Sequence, residues 1–327
     1  MTCVVLIASL LATLIPTLAY ARILRSFDRY QKTIYRLGMI AFLWGLLPAV
    51  LVTMVADLFL SLPFHAFDLS TNALTSAGIV APLTEEPSKA LILFLLFVRL
   101  GRAHDDPLVW IIYGGLSGFG FALTENIAYF YDAWTDGGWT LWSGVVFVRA
   151  LFFGMNHALY TSLTGLGLGL ARVQGPFLAR VLYASAGLGA AMLFHSLHNV
   201  GIVLAKTTPS TFQVSALVDW AGVLGMGILL MLIKREEKNR TLLELREEVE
   251  AGLIDADDFA LACSFRARLG SRLWGLVNSR ARRRVSRLAP LLADLAVVKY
   301  LNRDSERNYA REISELRIEI ALVRASL

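Results

Sequence analysis

Two adjacent glutamates, Glu85 and Glu86, with Lys89 one turn further on, interrupt the apolar stretch IVAPLTEEPSKALILFLLF at residues 79–97. A carboxylate carried into hydrocarbon costs about 2.5–3.5 kcal/mol on the most lenient scale, so such residues are there for a function or are paired. Three more apolar stretches carry polar groups of the same kind. GFGFALTENIAYF holds Glu125 and Asn126, FFGMNHALYTSLTG holds Asn156 and His157, and MLFHSLHNVG holds His195, His198 and Asn199. Two or three carboxylate and imidazole ligands with a spare carboxylate make a catalytic divalent-metal site, or one in which a carboxylate activates water directly. Buried Glu and His are also what a transporter with an intramembrane proton or ion site would use.

Spacing adds detail. Residues four apart share a helix face, so Glu85 is expected to pair with Lys89 while Glu86, rotated by about 100°, points elsewhere. That division makes Glu86 the expected base and Glu85 the lysine partner. His195 and Asn199, also four apart, can address one point. Pro87 removes a donor from the carbonyl of Leu83 and predicts a kink beside the glutamates. Glycines 114, 115, 118 and 120 allow a neighbouring helix to approach closely. No HExxH or GxGD sequence occurs. The GLSG at 115–118 matches a short rhomboid pattern, but Ser117 reads as helix packing. Asp219 and Arg149 read as a buried pair or as snorkelling residues, and His65 and His104 as loop residues without a role.

The elements that must position these groups are membrane helices. With 56% hydrophobic residues, 17% charged and a mean hydropathy of +0.57, the 327-residue chain is too apolar for a soluble domain. The expected fold is all-α, a polytopic bundle of about seven spans near residues 3–21, 37–60, 75–99, 107–132, 139–172, 178–205 and 211–233. The fifth run is long enough for one tilted helix, or for a short interfacial helix followed by a span. Nine of the twelve Lys and Arg in residues 1–233 fall in alternate connections, at positions 22, 25, 29, 32, 36, 99, 102, 172 and 180. The opposite connections carry Asp68, Asp132, Asp136 and Lys206. The positive-inside rule then puts the N-terminus outside and the C-terminus in the cytoplasm. The AYA at 19–21 resembles a signal-peptide cleavage site, but no basic segment precedes the run, so an uncleaved first helix is expected. Cys3 and Cys263 fall on opposite sides of the membrane in this topology and form no disulfide with each other. Residues 234–327 hold 19 of the 31 basic and 15 of the 26 acidic residues and read as a cytoplasmic helical appendage to the membrane domain 1–233. Its RARRRVSR run reads as a solvated or headgroup-facing surface. The net charge of +5 requires no nucleic acid.

Counted at about 1.5 Å per residue, Glu86, Glu125, His157 and His195 all fall roughly 8–16 Å below the outer face, which suggests one site. The set EEPSK (Glu85, Glu86, Lys89), FALTENIAYF (Phe121, Glu125, Asn126), RALFFGMNHALYTSLTG (Arg149, His157) and HSLHN (His195, Asn199) resembles the PrsW family of intramembrane proteases, within the wider superfamily of CAAX prenyl endopeptidases. The superfamily motifs EExxxR and FxxxH read here EExxK and Phe121-xxx-Glu125, which points to PrsW rather than a prenyl-protein endopeptidase. The resemblance spans about residues 75–205. It implies peptide hydrolysis in a bacterial cell membrane, typified by cleavage of a membrane-anchored anti-sigma factor on its extracytoplasmic side. On that reading a divalent metal, zinc for preference, is held by Glu125, His157 and His195. Glu85 or Glu86 moves the proton and Asn199 or Asn126 donates to the oxyanion. A metal-free mechanism, with a glutamate activating the water, stays open.

Overall fold

Proline and glycine set the punctuation of the chain. The computed structural model describes residues 1–27, 32–66, 73–100, 106–264, 278–304 and 308–327, with 267, 270, 271 and 274. His104, Asp68, Arg29 and Arg102 lie outside the described residues. Every regular element among the described residues is helical: α1 (Thr2–Arg25), α2 (32–66), α3 (73–99), α4 (Pro107–Val146), α5 (Asn156–Arg172), α6 (Phe177–Leu204), α7 (Ser210–Glu250), α8 (Ala256–Cys263), α9 (279–304) and α10 (Ala310–Ala325). His65 was expected in a loop but falls in the last turns of α2. α4 starts at Asp106, whose carboxylate accepts from the Leu108 amide at 2.9 Å, with Pro107 at the first helical position.

Among the described residues, five helical runs are long and apolar enough to cross a membrane: Thr2–Arg25, Arg36–Leu60, Pro107–Arg172, Phe177–Leu204 and Ser210–Glu250. The departure from seven has two causes. α3 is long enough, but Glu85, Glu86 and Lys89 interrupt its apolar character. Residues 107–172 contain two of the expected spans, and the chain bends between them instead of forming a loop. The helix continues through Asp132 and Asp136 and breaks only at Gly137–Gly138, where Gly138 takes a φ of +63° that side chains disfavour. A second break at residues 153–155 separates the helical turns up to Phe152 from α5, so the long fifth run is a short helix followed by a longer one.

α4 and α5 form the centre of the membrane-embedded part. Of the most apolar window in 107–172, 89% is buried, against 11–22% in the other four runs, whose apolar side chains face outward as lipid contact requires. The two helices touch backbone to backbone. A Cβ at Gly114 would lie 2.3 Å from the Thr161 carbonyl oxygen, and one at Gly118 would lie 2.2 Å from that of His157. At the other end of α5, Arg172 donates to the carbonyls of Phe97 and Leu100 at 2.7 and 2.5 Å, tying it to the end of α3.

The chain divides into two units, one within residues 1–229 and one within 230–327, with α7 contributing to both. The second unit has a core of Leu245, Ile254, Cys263, Leu288, Leu292, Leu295, Ile313 and Ile320. Its charges are partly internal. Lys299 is buried and donates to Glu247 at 2.8 Å, to Glu248 at 2.7 Å and to the Glu244 carbonyl at 2.7 Å. Burial alone would raise the Glu248 carboxyl, but Arg317 and Lys299 outweigh it and hold the group below its ordinary value. Asp258 is buried between Arg284 and Arg324. The RARRRVSR run is split accordingly, since Arg284 turns inward to Asp258 while Arg280, Arg282, Arg283 and Arg287 are exposed.

Candidate active site

The shape of α3 is set by a proline that sequence reasoning passed over. Pro82 lacks the N–H that would bond the Gly78 carbonyl four residues earlier. The turn Ser76–Val80 is accordingly widened, and its carbonyls turn toward α6. Ser196 donates to the Gly78 carbonyl at 2.5 Å and Asn199 to that of Ala77 at 2.7 Å. Pro87, where the kink was expected, lies inside the continuous helix Ala81–Arg99. The Asn199 amide therefore clasps α3 to α6 and sets His195, one turn earlier, opposite Glu86.

Glu85, Glu86, His157 and His195 each offer a ligand atom, and these atoms all lie within 4.8 Å of one another. Lys89 sits among them. Its Nζ donates to Glu86 at 2.7 Å, to Glu85 at 3.1 Å and to His157 Nδ1 at 3.0 Å, and it lies 4.3 Å from the centre of the Phe121 ring. The expectation that Lys89 would serve Glu85 alone is corrected here, because side chains three apart on a helix are neighbours as well as those four apart. Glu86 is fully buried and takes every contact offered. Its Oε1 also lies 2.8 Å from His195 Nδ1, and its Oε2 accepts from Thr161 at 3.2 Å. Glu85 has the Lys89 bond, lies 3.9 Å from His195 Nε2, and keeps 10% of its side chain accessible.

An ammonium can only donate, so His157 Nδ1 accepts and its Nε2 carries the hydrogen. That nitrogen lies 2.8 Å from Glu125 Oε2. Glu125 stands outside the group of four and is also held by Arg149 at 2.9 Å. Arg149 bonds Asn126 Oδ1 at 3.0 Å and packs 3.7 Å from the centre of the Tyr129 ring. Asn126 also donates to Thr13 at 3.4 Å, so both its ends are engaged. Arg149 and Asp219 are not each other's partners. Asp219 meets His198 at 2.7 Å and the Tyr160 hydroxyl at 3.0 Å. Ser117 donates to the Lys89 carbonyl at 2.9 Å, a helix-packing contact. Thr161, Tyr160 and the Pro82 turn had no signal in the sequence beyond a proline and two ordinary membrane-helix residues.

The architecture and this donor set define a class of protein: a polytopic helical membrane protein with a buried, convergent glutamate and histidine centre capable of hydrolytic chemistry. The sequence model of the PrsW family of intramembrane metalloproteases matches residues 34–233, and the chain belongs to that family. It is thus an integral membrane enzyme, an intramembrane protease. No curated protein and no solved structure matches the chain. A metalloprotease implies a divalent metal, and the residues fit one. Two imidazoles and two carboxylates in one buried cluster are a donor set that divalent transition ions take, and Lys89 shows that the pocket is built around positive charge.

Proposed function

We propose that the protein cleaves a single-span, membrane-anchored protein near the extracytoplasmic face, as removal of an anti-sigma-factor-like substrate would require. The carrying observation is the convergence of Glu85, Glu86, His157 and His195 in one cluster; reading the basic connections as cytoplasmic puts that cluster toward the outer face. On this reading the N-terminus is outside, residues 1–233 are the protease domain and residues 234–327 a cytoplasmic appendage.

His157, His195 and Glu86 would hold the metal, zinc for preference. A bound ion would supply Lewis-acid polarisation of the scissile carbonyl and of the attacking water. Glu125 acts through His157, since its hydrogen bond to Nε2 fixes the ring with Nδ1 toward the cluster. This replaces Glu125 as a ligand with Glu125 as a positioning residue. The contacts likewise favour Glu85 over Glu86 as the base. Every oxygen of Glu86 is already engaged, whereas Glu85 has one bond and the only accessible surface of the pair. Glu85 takes a proton from the attacking water as the new carbon–oxygen bond forms, and passes it to the departing nitrogen as the carbon–nitrogen bond breaks. Asn199, committed to the Ala77 carbonyl, supports the site by holding α6 in place rather than by meeting the oxyanion.

A second reading rests on Lys89, whose ammonium already supplies a central positive charge, so that Glu85 could activate water without a metal. Metal content and cleavage of a reconstituted single-span substrate separate the two. Glu86→Gln should lose both bound metal and cleavage. Glu85→Gln should keep the metal and lose cleavage. Full activity after complete chelation would leave the metal-free mechanism standing, and solute flux without proteolysis would sink the protease reading.

A further inference from the structure

The last membrane segment carries one charge between residues 211 and 233, Asp219, and it is 1% exposed. A carboxylate at that depth is costly unless it is used. Its two oxygens have two separate partners. Oδ2 lies 2.7 Å from His198 Nδ1, which as the only possible donor of the pair carries the hydrogen, and Oδ1 accepts from the Tyr160 hydroxyl at 3.0 Å. Tyr160 in turn is stacked on the ring of His195, with centroids 5.2 Å apart and planes inclined by 17°. The carboxylate therefore reaches one imidazole of the proposed metal site, that of His195, through the stacked ring. The tyrosine is fully buried and its hydroxyl points at the carboxylate, so the ring cannot slide across His195 without breaking that bond.

We propose that Asp219 is a positioning residue for the histidine ligand His195, acting through Tyr160, with His198 holding the other carboxylate oxygen in place. The inference rests on the metal reading above. It makes α7 part of the catalytic apparatus although that helix contributes no ligand. Partners that orient metal-binding imidazoles typically contribute about ten- to a hundredfold to metal affinity.

Cobalt titration of the full-length protein in detergent tests this, read by the absorption bands of the bound ion, which report on ligand geometry. Asp219→Asn should weaken cobalt binding by about tenfold or more and alter the bands. Tyr160→Phe keeps the stacked ring and removes only the hydroxyl, so it should change the bands in the same direction with little effect on melting temperature. The double variant should be no worse than the worse single variant at His195. If wild type binds cobalt and both variants bind it with the same affinity and spectrum, Asp219 is merely structural and the inference is overturned, even if Asp219→Asn melts earlier. A wild type that binds no cobalt removes the metal reading itself, and this inference with it.

Discussion

Gly118 is the point at which backbone packing and chemistry meet most directly. A methyl group there would lie 2.2 Å from the carbonyl oxygen, 2.5 Å from the carbonyl carbon of His157 and 2.8 Å from the Ala158 nitrogen. All three are backbone atoms, so no side-chain rotation relieves the clash. Ordinary contact begins near 3.4 Å, so Gly118→Ala must part α4 from α5 by about 1.2 Å at the residue that supplies an imidazole. His157 sits 3.0 Å from Lys89 and 2.8 Å from Glu125, and a shift of that size breaks at least one of these contacts. Overpacking of this kind costs about 1–3 kcal/mol of stability. Misplacing a catalytic group by about 1 Å costs on the order of a hundredfold in rate. The expected result is a folded protein, judged by helical circular dichroism and a cooperative melt, whose cleavage of a reconstituted single-span substrate falls about a hundredfold. Gly165→Ala is the control. Its Cβ would meet the Trp110 carbonyl oxygen at 2.1 Å, an equally tight contact in the same helix pair, about 12 Å further along α5. If Gly165→Ala loses as much activity as Gly118→Ala, or if Gly118→Ala is fully active, the argument that local displacement of His157 is what matters fails.

Lys89→Met leaves two buried carboxylates without their shared counter-charge, which should cost about 3–5 kcal/mol and appear as a lowered melting temperature. Because a divalent ion can replace that charge, added zinc should recover more of the loss in the variant than it adds to wild type, and a uniform effect on both would contradict the account of Lys89. In the second unit, burial and the neighbouring Glu319 push the Asp294 carboxyl up to about 6. A raised folded-state value means that stability present at about pH 4 is lost as pH rises through about 6. The melting temperature of Asp294→Asn should therefore match wild type near pH 4 and exceed it near pH 7, and a constant difference across that window would refute the assignment. A reporter fused after Asp136 should read extracytoplasmic, and fusions after Arg102 or Arg240 cytoplasmic. The reverse pattern would move the site to the inner leaflet and exclude cleavage of an extracytoplasmic stalk.

Charge within apolar sequence is legible in one dimension, because its cost does not depend on how the helices pack. Glu85, Glu86, His157 and His195 stand out for that reason, and the structure brings these four together. What they bind to is set in three dimensions. Lys89 reaches both glutamates, and Glu125 meets the cluster through His157 while pairing with Arg149, because helix rotation and the length of the lysine side chain decide reach. The bounds of the spans were less legible for a different reason: three charges interrupt the apolar character of α3, and Gly137–Gly138 bends a helix where composition suggested a loop.

The prolines show where the boundary of legibility falls. A proline declares that one carbonyl loses its helical partner, and the sequence alone identifies that carbonyl. For Pro82 it is Gly78, yet the donors that close the gap, Ser196 and Asn199, lie more than a hundred residues away on α6. That same closure brings His195 to Glu86. Thr161 and Tyr160 follow the same logic in reverse. Each is an unremarked polar residue on a packed helix until the close approach of α5 to α4 fixes its height, and only then does the threonine meet Glu86 and the tyrosine bridge His195 to Asp219. The residues that carry charge were chosen by chemistry and could be read directly. Those that hold them in place were chosen by packing, and they become visible only when the glycines that permit that packing are placed against the backbone they touch.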